Sequence, residues 1–550
     1  MKIEIENLNK IIDSKRKNIL ESLLANNIKI DNFCNGKGTC GKCKIKVLKG
    51  KLNPISLLEK SLLTDDEIKN GIRLACLTFP KSDLRIKTIN NDLDFKILDY
   101  GEISDFEMKF DKGYGLCLDI GTTSLAMYLV DLSNGKIIDK ISSINSQVKY
   151  GLDVMTRISF EYENENGKNL LQDEIIKSIN NLIDDLVNKN EIERSQIKKL
   201  VIGANTTMLH MLVGVDAKSL GKFPYKAKFL NSLKINSKDL GLNISAKIYT
   251  LPNVSAFVGS DIVAGAYLTD LKNQKNTLFI DIGTNGEIVL KTKDKLYATS
   301  TAAGPALEGM NISCGMRAES GAIDSVKIQD ENINFSTIDN KNPRGICGSG
   351  LLSSVSQIIE KDFVNKRGRI LDPEKLEKDD YRKNFIREDE NKKRIIILDS
   401  KENIYISQKD IRQVQLAKGA ILSGFLILLE KENIEIKDLN SVIIAGGFGS
   451  HLKKEDLTGV GILPKNIEKK IRYVGNSSLI GAYMALMNEN IIKKMENLAK
   501  NITYLDLATS KNYERKFAKA MQFWGEKNEK LQKIINSSYP NNFNSYFMCK

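Results

Sequence analysis

A chain of 550 residues, 41% of them hydrophobic, is longer than one core can serve, so three or four folded units are expected. Charged residues at 27% and aromatics at 7% exclude wholesale disorder, and a net charge of +13 spread along the chain, with no basic stripe interleaved with aromatics, argues against nucleic-acid binding. Two histidines, His210 and His451, exclude a histidine triad or a zinc hydrolase site, and eight cysteines are too sparse for a secreted disulfide scaffold.

The start, MKIEIENLNK, has no apolar core of signal-peptide type. The longest apolar run, AILSGFLILL at 420–429, is too short to cross a bilayer, so a cytoplasmic chain without a membrane partner is expected. KIEIEN and CKIKVLKG read as strands, NILESLLANN as an amphipathic helix, and LRIKTI at 84–89 as a closing strand, which together predict a β-grasp domain over residues 1–90. Cys34, Cys40 and Cys43 share one glycine-rich loop, FCNGKGTCGKC, and Cys76 follows in RLACLT. Three cysteines on a loop with a distant fourth is iron–sulfur spacing, one residue longer in the first gap than the plant type. Structural zinc and redox thiols are the alternatives, and the presence of a single CxxC pair argues against zinc. Gly36, Gly38 and Gly41 supply the positive φ that a loop wrapped around a cluster needs.

Residues 1–90 carry 18 Lys and Arg against 10 Asp and Glu, with Lys37, Lys42, Lys44 and Lys46 beside the cysteines. These read as a solvated surface or as a face for an acidic redox partner. Residues 91–112 show no long period and read as a linker.

GYGLCLDIGTTSLAMYLVDL follows, a strand, tight turn and returning strand around Asp119, Gly121, Thr122 and Thr123. A second copy, FIDIGTNGE, has Asp281, Gly283, Thr284, Asn285 and Gly286, and two such units suggest a duplicated fold. Glycine and threonine in such a turn gather N–H and hydroxyl groups around phosphate oxygens, and the strand-end aspartate can hold a hydrated Mg²⁺. Gly446, Gly447 and Gly449 in VIIAGGFGS allow close approach of backbone to a nucleotide. Asp261, in the first turn of a helix within FVGSDIVAGAYL, reads on its own as a helix-capping or first-turn acid. TAAGPALEGMNISCGMR, with Gly304, and RGICGSGLL are glycine-rich segments suited to packing around a cleft, with Cys314 and Cys347 expected to be structural. EKLEKDDYRKNFIREDENKKR, within about 360–400, reads as a solvated insertion, and 501–550 as a C-terminal helix and tail that leaves Cys549 a free thiol.

The N-terminal pattern resembles a 2Fe-2S ferredoxin of adrenodoxin spacing, which implies Cys34, Cys40, Cys43 and Cys76 as cluster ligands. The order LDIGTTS, VIGANTTM, FIDIGTNGE, VIIAGGFGS, VGNSSLIGA resembles the ASKHA superfamily of acetate and sugar kinases and actin over 113–500. That implies an RNase H-like ATPase fold in two lobes, with Asp119, Asp281 and Asp261 catalytic and the turn glycines and threonines, Asn285 and Gly304 on ATP. The whole chain, including YGLDVMTRI and QKDIRQVQLAKGAI, resembles the reductive activators of corrinoid proteins. This implies an α/β multidomain enzyme that uses a 2Fe-2S cluster, ATP and Mg²⁺ to reduce the Co(II) corrinoid of a partner methyltransferase system to Co(I). Expected with it are a low-potential donor such as a ferredoxin or flavodoxin, and a homodimer. No Asp-x-His-x-x-Gly is present to bind a corrinoid, so the cobalt is expected on another protein. A kinase, a redox-sensing ATPase, or an activator of another low-potential metalloenzyme are the rival expectations.

Overall fold

The computed structural model describes residues 1–14, 17–26, 28, 30, 36, 38, 41, 43–60, 62, 63, 65–89, 106–389, 392–447, 449 and 452–523. The chain divides into two compact units, Met1–Asp94 with Ser146–Phe160, and Phe95–Asn145 with Glu161–Lys550.

In the first unit, β1 (Lys2–Ile5), β2 (Lys10–Asp13), β3 (Lys44–Lys49), β4 (Ile72–Leu74) and β5 (Leu84–Thr88) form one mixed sheet in the order β2-β1-β5-β3-β4. Alternation buries Ile3 and Ile5 on β1, and Leu84 and Ile86 on β5. Helix α1 (Ile19–Ala25) begins at Asn18, whose side chain accepts from the Glu21 amide, and it packs Ile19, Leu20 and Leu23 into the same core. LRIKTI, last in chain order, is central in the sheet, parallel to β1 and antiparallel to β3. In the Ser146–Phe160 piece Arg157 is fully buried, donating from Nε to the Gly151 carbonyl at 2.9 Å and from Nη1 to the Gln147 side chain at 3.1 Å.

In the second unit two six-stranded sheets repeat one plan. The first contains β6 (Tyr114–Ile120), β7 (Ser124–Asp131), β8 (Ile137–Ile144), β9 (Ile197–Ala204), β10 (Lys234–Asn236) and β11 (Lys247–Thr250), in the order β10-β11-β9-β6-β7-β8. The second contains β12 (Thr277–Ile282), β13 (Gly286–Lys291), β14 (Leu296–Thr301), β15 (Ser441–Ala445), β16 (Ile471–Tyr473) and β17 (Ile502–Tyr504), in the order β16-β15-β12-β13-β14-β17. Each sheet joins an antiparallel meander to two parallel strands, β9 and β11 in one, β15 and β16 in the other. The repeat announced by two similar turns is therefore a repeat of whole sheets.

Helix α2 (Thr206–Val213) follows β9, α3 (Ser260–Leu268) follows β11, α4 (Gln408–Lys431) precedes β15, and α5 (Ser477–Met487) follows β16. Small residues let α3 and α5 approach backbone to backbone: a methyl at Gly481 would lie 2.5 Å from Ala264 Cβ, and one at Gly265 would lie 2.6 Å from Ser477 Oγ. The run at 420–429, too short by itself to span a bilayer, lies inside α4, a helix of 24 residues that is long and apolar enough to span one. Its apolar stretch is 78% buried in the fold, as a core helix would be.

The segment expected to be a solvated insertion is only partly so. Its charged first half is exposed or partly exposed, but Ile386–Glu388, Arg394–Asp399 and Ile404–Ser407 form a three-stranded sheet that buries Ile395, Ile396 and Leu398. Near the C-terminus, Lys418 of α4 is buried and donates to the carbonyls of Ala520 and Gln522, fastening the end of the helix Tyr513–Ala520. Cys549 lies outside the described residues.

Candidate functional site

Asp119 sits at the end of β6 opposite Ala126, and Asp281 at the end of β12 opposite Glu287. Each turn is closed by its first glycine: Gly121 N donates to Ser124 O at 2.9 Å, and Gly283 N to Asn285 O at 3.0 Å. The first turn is one residue longer, since Ile120 pairs with Leu125 whereas Ile282 pairs with Gly286. Both turns open on one cleft of about 240 Å³, lined by Asp119, Gly121, Thr122, Thr123, Asp261, Asp281, Gly283, Thr284, Asn285, Gly446 and Gly447 among others. Although Asp119 and Asp281 are 162 residues apart in sequence, the duplicated turns meet at a single place because each sheet presents the same strand end.

Three of the expected glycines stand outside that lining. Gly286 opens β13, where a methyl would strike Thr301 Oγ1 at 2.7 Å; Gly304 has φ +77° and donates to Thr284 O at 2.8 Å; Gly449 packs near Ile444. Gly446, with φ +99°, touches the site directly, since a Cβ there would fall 2.6 Å from Asp281 Oδ1.

The cleft also collects Asn205, Glu287, Glu308, Arg317, Asn476 and Ser478, which turn spacing did not single out. Asn205 caps α2 by accepting from Met208 N at 2.9 Å and donates to Thr122 Oγ1 at 3.1 Å. Asn476 caps α5 by accepting from Leu479 N and donates to Asp119 Oδ2, both at 2.9 Å. An Asn immediately before a helical run, in VIGANTTM and in VGNSSLIGA, was the readable signal for both.

Burial and mutual repulsion govern the carboxyls. Asp281 is pushed up to about 8 by burial, then by Asp261, Asp119 and Glu308. Asp261 rises to about 7 through burial, with Asp119 adding to it, while its Oδ1 accepts from Ile262 N at 2.8 Å. One oxygen of Asp261 thus serves the first turn of α3, and the residue still lines the cleft, so the two readings of this aspartate are compatible. Glu287, only 7% exposed, is raised well above the usual carboxylate range by burial and by Asp261 and Asp281. Asp119 is raised by burial against hydrogen bonds from Ser478 and Asn476, and Glu308 by burial against the hydroxyls of Thr284 and Thr123.

In the first unit, Cys34 and Cys40 lie outside the described residues, as do Lys37 and Lys42. Gly36, Gly38 and Gly41 have φ of +77°, +75° and +65°, the conformation the loop requires. Cys43 and Cys76 are buried, and the Cys76 amide points at Cys43 Sγ from 3.5 Å, the inward N–H expected around thiolate sulfur. Lys44 pairs with Glu67 at 2.5 Å, so it is engaged within the domain, while Lys46 is exposed.

The turn that carries Cys76 is held from both sides. Fully buried Glu59 forms a two-pronged pair with Arg73, at 2.8 and 2.9 Å, and accepts from Leu74 N at 2.8 Å and Thr78 Oγ1 at 3.4 Å. Asn53 accepts from Phe79 N at 2.6 Å and donates to Leu77 O at 3.0 Å. Glu59→Ala would strand the Arg73 guanidinium, and it is expected to lower stability of this unit by about 3 kcal/mol or more in urea unfolding. Cys347 is buried with Sγ 3.2 Å from Ile323 O, and Cys314 Sγ accepts from Tyr405 N at 3.4 Å, both serving local packing.

Residues 3–81 match the family model of the 2Fe-2S iron-sulfur cluster binding domain, 114–274 that of the RACo middle region, and 275–534 that of the C-terminal domain of RACo, the ASKHA domain. Among curated proteins, the corrinoid activation enzyme RamQ of Eubacterium limosum is 28% identical over 93% of this chain and 97% of its own length. The [Co(II) methylated amine-specific corrinoid protein] reductase of Methanosarcina barkeri is 24% identical over 75% of this chain and 77% of its own. A solved reductive activator for corrinoid, iron-sulfur protein superposes with a TM-score of 0.68 at 29% identity, covering 95% of this chain and 98% of that one.

Proposed function

We propose that this chain, which belongs to the reductive activators of corrinoid proteins, is an ATP-hydrolysing enzyme that restores Co(I) from Co(II) on the corrinoid of a partner methyltransferase protein. The observation that carries the reading is the match of all three regions, in order, across residues 3–534. In this reading Cys34, Cys40, Cys43 and Cys76 hold a 2Fe-2S cluster; the paired burial of Cys43 and Cys76 and the amide aimed at sulfur fit thiolate ligation. The partner supplies the corrinoid as substrate, a ferredoxin or flavodoxin supplies electrons, and the chain works in the cytoplasm as a homodimer.

ATP with Mg²⁺ is assigned to the acidic cleft. The buried Thr123 hydroxyl, which lacks a well-formed hydrogen bond, fits a phosphate oxygen as its acceptor. Among the described residues no three Asp, Glu, Cys or His side chains form a ready metal cage, which suits a cation held through water by one or two carboxylates and by phosphate. When bound, the cluster provides a one-electron couple and the cation offsets phosphate charge. Asp119 and Asp281 would hold the hydrated cation, Thr122, Thr123 and Thr284 would donate hydroxyls to phosphate, and Gly446 and Gly447 would admit the nucleoside. Asp261, with one oxygen committed to Ile262 N, orients water at the terminal phosphate with the other.

Nucleotide is needed because plant-type two-iron centres lie near about −400 mV, and a coupling of about 3 kcal/mol moves a one-electron step by about 130 mV. The deciding measurement is anaerobic stopped-flow reduction of a Co(II) corrinoid protein with and without ATP. Equal rates in the two arms would remove the coupling. Gly446→Ala, which drives a methyl into Asp281, is expected to weaken nucleotide binding at least about tenfold in isothermal titration.

A further inference from the structure

Glu308 is the one cleft carboxyl that takes a hydroxyl from the second phosphate turn. It accepts from Thr284 Oγ1 at 2.6 Å. Thr123 Oγ1, from the first turn, faces the same carboxyl closely enough to favour its ionised form, yet it is buried without a well-formed hydrogen bond. The hydroxyls that the nucleotide reading assigns to phosphate therefore converge on a carboxyl that belongs to the chain.

The backbone that delivers Glu308 is firmly seated. The turn Pro305–Glu308 is bracketed by Gly304 at φ +77° and Gly309 at +75°. Gly304 N donates to Thr284 O at 2.8 Å, and a methyl at Gly309 would come within 2.2 Å of Met316 O, so the loop crosses its own continuation at backbone distance. Around it the cleft lining carries Asp119, Asp261, Asp281 and Glu287, against the single guanidinium of Arg317. A carboxylate at Glu308 would repel a phosphate of uncompensated charge far more strongly in this buried cleft than in water.

We propose that Glu308 makes the cleft selective for a nucleoside triphosphate already carrying its divalent cation: it occupies the Thr284 hydroxyl, and crowds that of Thr123, as an anionic stand-in for phosphate. It yields them only to phosphate whose charge the cation has offset. The inference rests on the nucleotide reading above and adds a specificity-determining residue to it.

The test is isothermal titration of the full chain with ATP in EDTA and with ATP in excess Mg²⁺, for wild type and Glu308→Gln. The amide removes the charge while keeping the shape. The expected result is metal-free ATP bound at least about tenfold more tightly by the variant, so that its preference for MgATP over metal-free ATP narrows by at least about tenfold. Unchanged metal-free affinity, or MgATP affinity lost by more than about tenfold, would overturn the proposal by making Glu308 a structural or cation-anchoring group. If wild type binds ATP equally with and without Mg²⁺, the selectivity is refuted and the nucleotide reading stands; if it binds neither form, both fall. Glu308→Ala, run in the same two arms, replaces the amide variant should that one fail to fold.

Discussion

Asparagine in place of Asp281 is expected to lower ATP-dependent corrinoid reduction at least about a hundredfold and, at the same time, to make the nucleotide-free protein more heat-stable at pH 8. The two effects have one source. Burial, with Asp261, Asp119 and Glu308 nearby, lifts the Asp281 carboxyl from its ordinary 3.8 to about 8. A carboxyl whose folded value lies above its unfolded value binds more protons in the folded state over that interval. Its contribution to stability is then complete below about pH 4 and is lost as pH rises through about 8. Asp261, raised to about 7, and Glu287 act in the same direction, so the protein without nucleotide should lose heat stability between about pH 4 and 8. In Asp281→Asn that loss should shrink without vanishing, and Mg²⁺ should recover stability in wild type more than in the variant. Melting curves against pH, with and without Mg²⁺, check this; identical pH profiles for the two proteins would contradict it.

Cys76→Ala is expected to abolish electron transfer to the corrinoid while leaving nucleotide hydrolysis within about threefold of wild type. Cys76 is buried beside Cys43 in the unit Met1–Asp94, whereas every residue lining the nucleotide cleft belongs to the other unit. Visible absorption and electron paramagnetic resonance of anaerobically purified protein report the cluster, and phosphate release reports hydrolysis. A variant that keeps a normal two-iron spectrum would remove Cys76 from the ligand set. Loss of hydrolysis along with the cluster would show that the cleft depends on the cluster domain, against the separation of the two units.

The features read correctly from residues alone were those whose chemistry is local. A glycine that must take positive φ, a cysteine spacing, and two DIGT turns each declare themselves within ten residues, and Gly36, Gly38 and Gly41 adopt the conformation their positions suggested. Glu59 and Glu308 could not be read in that way. Each sits in an ordinary-looking polar stretch, and each is defined by a partner far along the chain: Arg73, 14 residues on, and Thr284, 24 residues back. An acid in solvent and an acid locked to a distant donor look the same in sequence. The central position of β5 was hidden for the same reason, because strand order in a sheet is a long-range property. The two readings of Asp261 do not compete, because a carboxyl has two oxygens and one is enough for the helix.

The two turns share one plan, but they are not interchangeable. Asp119 looks across its hairpin at Ala126, Asp281 looks across at Glu287, and the loops differ by one residue. A symmetric clamp could accept a linear polyanion in either direction. This one has a polarity, with one acid on its first jaw, Asp119, and two on its second, Asp281 and Glu287, so its two ends are chemically distinct.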